Sequence, residues 1–225
     1  MRTKYLSFAA IIILAGMLTS GPAGSYIIQL LSPEPPWVNA ETYIAHYSPL
    51  QSIPFYFGFI LMFGFILFFA SLPAPSSEND HILVRLTLLF AGLYTFMISL
   101  NYLIQIALVP NVLNYPGVIE LLAVLNAKSL FWYIEMTGYG FLGLATWTAG
   151  LMFRGSRGNE IIRWLCVANG IISILGSILT FLFKGWVLTL PGMFSYILWN
   201  ILIMILAIVI LTEFKFGKTE VRVTS

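Results

Sequence analysis

Charge is scarce in this sequence. Asp, Glu, Lys and Arg make up only 9% of its 225 residues, against 59% hydrophobic. A soluble domain carries roughly a quarter charged residues, because a water-facing surface has to be solvated. A chain this poor in charge cannot cover such a surface, so lipid has to be the solvent for much of it. No nucleic-acid partner is expected. Cysteine is almost missing too. Cys166 stands alone, which excludes an intramolecular disulfide and a multi-cysteine metal site. His46 and His81 fall in loops on opposite sides of the expected membrane, so they cannot jointly ligate an intramembrane haem or metal. No cofactor and no metal site is expected. No N-x-S/T sequon occurs, which fits a prokaryotic inner membrane.

The motifs of several enzyme classes are missing as well. There is no H-E-x-x-H, no G-x-S-x-G elbow, no P-loop and no dinucleotide fingerprint. No span carries a carboxylate pair for aspartyl proteolysis or the spaced arginines of a voltage sensor. No catalytic residue is assigned.

What remains is apolar and long. A helix needs about 20 apolar residues to cross the hydrocarbon core. Six stretches qualify, at roughly 5–31, 53–72, 82–109, 130–153, 161–183 and 188–212. The expected fold is an all-α polytopic bundle of six transmembrane helices, with residues 1–225 forming one transmembrane domain. Pro73 and Pro75 close the second span, and Pro110 ends the third by removing a helical donor. Trp132, Trp164 and Trp186 fall near span ends, where indole prefers the headgroup region.

Basic residues set the expected orientation. With the N-terminus inside, the cytoplasmic segments hold nine: Arg2, Lys4, Arg85, Arg154, Arg157, Arg163, Lys215, Lys218 and Arg222. The exterior segments hold two, Lys128 and Lys184. Both termini are therefore expected in the cytoplasm, with the basic tail against anionic headgroups. The first stretch fits two readings. Arg2 and Lys4 before a short apolar run resemble a signal peptide with a small-residue zone at Gly21–Ser25. A retained helix kinked at Pro22 also accounts for the apolar residues that resume at Tyr26–Leu31.

Two exterior loops, 32–52 and 110–129, are long enough to fold back. The second contains VIELLAVL, which is expected to form a short helix in the outer headgroup layer. A repeat also emerges at an offset of 78 residues, pairing Arg85 with Arg163, Gly92 with Gly170, Thr95 with Ser173 and Ser99 with Ser177. Such spacing places small residues along one helical face, where helix backbones approach closely. These positions are expected to pack helices, as are Gly138, Gly140, Gly143 and Gly150. Asn169 and Asn200 are expected to form interhelical amide hydrogen bonds.

An ionisable group at the bilayer centre costs roughly 2.5–3.5 kcal/mol, so each needs a reason. Glu135 is the one carboxylate well inside an expected span, about 10 Å outward of the midplane at 1.5 Å per residue. Asn101 reaches about 9 Å outward on the next helix. Tyr102 and Gln105 lie at or just above that level, and Tyr139 is one turn below Glu135. Glu135, Asn101, Gln105, Tyr139 and Tyr102 are the candidate ligand-binding residues of an exterior-side polar pocket. Packing glue is the alternative use of the same groups.

The stretch from Trp132 to Ile178 resembles a segment of small, uncharacterised six-helix integral membrane proteins of bacteria and archaea. In these, an E-x-x-G-Y/W-G-F helix precedes a basic turn and an R-W-L-x-x-A-N-G helix. The matching residues are Glu135, Gly138, Tyr139, Gly140 and Phe141, then Arg163, Trp164, Leu165, Ala168, Asn169 and Gly170. The resemblance implies the multi-pass architecture and no activity. Three functions follow in order: binding or transport of a small solute or amphiphile at the exterior pocket, an accessory subunit of a membrane complex or homo-oligomer, and an intramembrane enzyme using Glu135. The enzyme ranks last, because spacing supplies no second catalytic group.

Overall fold

The structure, a computed structural model, describes residues 2–214. All regular elements among them are helical. The first apolar stretch forms α1 (Arg2–Ser20) and α2 (Pro22–Leu31), joined through Gly21. Backbone hydrogen bonds continue on either side of the junction, from Gly21 to Met17 and from Ser25 to Gly21. Pro22 has no donor, and its fixed φ suits the first position of the new helix, so the break falls there.

Next come α3 (Ala40–His46), α4 (Ile53–Ala70) and α5 (Glu78–Leu103). Ser77 caps α5 by accepting from the Asp80 amide at 3.2 Å. Glu78 and Asp80 in the first turn favour the positive end of the helix dipole. Beyond Leu103 the helix widens into a π-turn at Ile104–Leu108, then ends in a 3-10 turn containing Pro110. The last four helices are α6 (Pro116–Leu122), α7 (Leu130–Gly150), α8 (Arg157–Leu182) and α9 (Leu190–Glu213). Ser129, Ser156 and Thr189 cap α7, α8 and α9 through backbone amides of the first turn.

Five helices are long and apolar enough to cross a membrane, within Thr3–Leu31, Pro49–Ala70, Glu78–Asn111, Arg157–Leu182 and Leu190–Glu213. α7 has the length but is less apolar, because it carries Glu135, several glycines and Thr137, Thr146 and Thr148.

The six long helices form a closed ring in chain order. Each packs on its neighbour along the chain, from α1 to α4, α5, α7, α8 and α9, and α9 returns to α1. Neighbours run antiparallel. Small residues let the backbones meet, as expected where lipid gives helices no hydrophobic reason to associate. Gly143 on α7 faces Gly170 on α8: a Cβ on either would lie 2.8 Å and 2.7 Å, respectively, from the carbonyl oxygen of the other. Gly140 meets Ser177 and Gly150 meets Cys166 along the same seam, and Gly64 of α4 meets Ile13 of α1.

The proposed repeat does not extend to packing. Gly170 is buried in a helix seam, whereas Gly92 is exposed, with nothing within 4 Å of the position its Cβ would take. Thr95 bonds its own helix at Ala91, and Ser99 reaches Met62 on α4 at 3.3 Å. α5 and α8 thus turn their matching stripes to different surroundings, because each sits between different partners in the ring.

The ring has two unlike ends. At the terminal end, the Ser7 hydroxyl donates to the Phe214 carbonyl, so the start of α1 lies beside the end of α9. Arg154 meets Asp80 at 3.3 Å there, linking the two short turns. Lys215, Lys218 and Arg222 lie outside the described residues. The other end is rich in loops. Its VIELLAVL segment contributes the expected short helix, α6. Ile119, Leu122 and Ala123 are buried with Ala40, Tyr43, Val109 and Phe131 in a second small core that caps the bundle. Glu120 ties this cap together, accepting from the Ala40 amide at 3.1 Å and from Asn126 at 3.2 Å.

Candidate functional site

The terminal half of the ring is filled by side chains such as Phe65, Phe68, Phe153, Ile13 and Ile203, all fully buried. Phe68 and Phe153 stack there at 6.0 Å. The loop-rich half is not filled. It encloses a cavity of about 530 Å³, with walls contributed by α1, α2, α3, α4, α5, α7, α8 and α9.

An aromatic belt crosses the cavity. Phe55 of α4 packs on Tyr102 of α5 at 5.5 Å between ring centres. The hydroxyls of Tyr102 and Tyr139 lie 3.3 Å apart, joining α5 to α7. Tyr139 meets Trp199 of α9 edge-to-face at 5.2 Å. The Trp199 indole then donates to the Ser173 hydroxyl of α8 at 2.8 Å. Gly58 leaves the room for the Tyr102 ring, since a Cβ on it would collide with that ring.

Glu135 projects from α7 into this cavity. Its Oε2 accepts from the Asn101 amide at 3.0 Å. The Gln105 amide in turn donates to Asn101 Oδ1 at 3.2 Å and to the Leu122 carbonyl at 2.8 Å. Gln105 Oε1 accepts from the Val124 amide at 3.2 Å. This relay fastens the extended turn after α6 to the π-turn of α5, where the widened helix lets a side chain reach sideways. Interruptions of this kind recur at functional sites.

Four of the five residues expected to form a pocket reach its wall: Glu135, Gln105, Tyr102 and Tyr139. Asn101 does not. It is fully buried between α5 and α7 and holds Glu135 from behind. Ser173 and Ser177, expected only to pack, also line the cavity, as does Asn200. The Asn200 amide donates to Tyr196 of its own helix at 2.8 Å, not across a helix seam as expected. Asn169 does bond between helices, accepting from Thr146 at 3.3 Å. Lys128 is exposed, and the ion pairs among the described residues are Arg154–Asp80 and Arg163–Glu160, so Glu135 has no cationic partner.

Sequence reasoning missed Glu34, Tyr196 and Trp199. Tyr196, Trp199 and Asn200 recur at helical spacing on α9, a signal that was legible. Glu34 lies in a loop, and only the fold-back of residues 32–52 brings it to the cavity wall. Burial pushes its carboxyl up to about 7, with the His46 charge acting in the opposite direction. Burial and the nearby Glu34 charge push the Tyr43 hydroxyl up as well. Chemically, the site offers carboxylate, hydroxyl and aromatic faces in an apolar enclosure. Among the described residues no three His, Cys, Asp or Glu side chains gather to hold a metal. Compared with protein families, with curated proteins and with solved structures, the chain matches none.

Proposed function

We propose that this chain is a six-span protein of a prokaryotic cell membrane, with both termini cytoplasmic, that binds a small solute or amphiphile in its outer cavity. α7 is the sixth span in this reading, held between α5 and α8 and shielded from lipid on its polar side. The split of nine basic residues to two supports the orientation. The adjacency of Ser7 and Phe214 is consistent with termini on one side.

The observation that carries the binding reading is the cavity itself. Ligand sites are typically clefts of about 300–1,000 Å³ with apolar walls and a few convergent polar groups. An enclosure of about 530 Å³ around Glu135 has that size and character. A second reading, an accessory subunit without ligand, draws on the relay from Glu135 through Asn101 and Gln105 to Leu122, which also serves to hold the cap in place.

Single cysteines separate the two. Cys166 is buried, and a Cys166→Ala background leaves only the introduced thiol. Cysteines at 105, 135 and 139 are expected to react with a water-soluble maleimide, and those at 101 and 142 to resist it. Uniform protection at all five positions would favour packing alone.

A further inference from the structure

We propose that the occupant of the cavity is an organic monocation, a positive centre carried on an apolar or aromatic body. This rests on the reading that the cavity binds a ligand, and it adds the ligand's charge and class.

The walls have one sign of charge. Glu34 and Glu135 line the cavity, and no Lys, Arg or His does so among the described residues. The loop-rich half as a whole carries Glu34, Glu41, Glu120 and Glu135 against Lys128 and Lys184. His46, the titratable base there, is exposed on α3 and bonds the Thr42 carbonyl at 2.9 Å. A cleft lined by one sign with low-dielectric walls concentrates ions of the opposite sign. An anion would meet two carboxylates and no counter-charge.

The Glu135 carboxylate is half used. Asn101 holds Oε2, while Oε1 makes no hydrogen bond among the described residues, and the side chain lines the cavity. Glu34 Oε1 and the Tyr47 hydroxyl also have no hydrogen-bond partner, but both atoms are covered by protein. The acceptor left for a ligand that brings positive charge is the second Glu135 oxygen.

The aromatic surroundings select the kind of cation. Tyr43, Tyr102, Tyr139, Tyr196 and Trp199 all line the cavity. Aromatic faces attract cations through their quadrupole, and recognition of quaternary ammonium groups by such cages is the familiar use. A bare metal ion wants a tight cluster of hard ligands, which the described residues lack. A volume of about 530 Å³ suits a bulky organic ion instead.

The purified full chain in detergent at pH 8, where Glu34 is ionised, tests this by equilibrium dialysis with two probes of similar shape, tetraphenylphosphonium and uncharged triphenylphosphine oxide. The cation is expected to bind saturably, with the oxide at least ~10-fold weaker. Glu135→Gln keeps the hydrogen-bonding shape and is expected to weaken the cation ~10-fold while leaving the oxide unchanged. Glu34→Gln, on the cavity wall and outside the Asn101 relay, is expected to weaken the cation to a lesser degree. It decides the matter should Glu135→Gln fail to fold. Equal affinity for both probes, unmoved by either substitution, would overturn the cation while the binding cavity stands. Binding of neither probe would overturn both.

Discussion

Asn101 on α5 and Glu135 on α7 meet through one hydrogen bond of 3.0 Å at the level where the closed ring opens into its cavity. The amide fixes one carboxylate oxygen and leaves the other facing inward. Helix seam and candidate site therefore share a residue pair.

Replacing Asn101 with Leu removes the donor and leaves a carboxylate in the seam without it. Polar contacts between membrane helices contribute about 0.6 to 2 kcal/mol. Asn101→Leu is expected to lower stability by about that amount, read from denaturant unfolding in detergent. In a double-mutant cycle with Glu135→Leu, which removes the acceptor, a coupling near zero would show that the contact is not formed.

The glycine seam makes a sharper contrast. Gly143 lies against the Gly170 backbone, while Gly92 has open space beside it. Gly143→Leu is expected to abolish folded, monodisperse protein, because backbone cannot move aside as a flexible side chain would. Gly92→Leu is expected to change the melting temperature little. Size-exclusion chromatography and thermal scans check both, and equal behaviour of the two variants would contradict the α7–α8 packing.

Glu34 makes stability depend on pH. Burial raises its carboxyl from 4.5 to about 7, so between those values the folded chain binds more protons than the unfolded one. Its favourable contribution is complete below pH 4.5 and is lost as pH rises through about 7. Its titratable neighbours are His46 and Tyr43, both from α3. Glu34→Gln is therefore expected to be more stable than the parent at pH 8 and to match it near pH 4.5, measured as melting temperature against pH. A difference that is constant across that range would contradict the burial of the carboxyl.

The helices were legible in the sequence because apolar length and Pro, Gly and Ser punctuation act locally. The kink at Pro22, the stop at Pro110 and the caps at Ser77 and Ser129 each depend on a few adjacent residues. The meeting of Glu135 with Asn101 was legible too, since depth in an antiparallel pair follows from counting along each helix. Counting did not reveal that Asn101 stands behind the wall, because azimuth around the helix depends on which partners flank it. Gly92 was misjudged for the same reason. The cap was hidden because Gln105 reaches Leu122 and Val124 only through a π-turn, and no spacing pattern announces one. Glu34 joins the site only through the fold-back of residues 32–52, which no local pattern announces.

The placement of the cavity on the outer side of the membrane is tested most directly by sidedness. Lys128→Cys at the loop-rich end and Arg157→Cys at the terminal end, each in the Cys166→Ala background, are exposed to an impermeant maleimide in sealed right-side-out vesicles. The account predicts labelling at 128 in intact vesicles and at 157 only after permeabilisation. Labelling at 157 with protection at 128 would contradict it, turning the carboxylate-lined opening toward the cytosol.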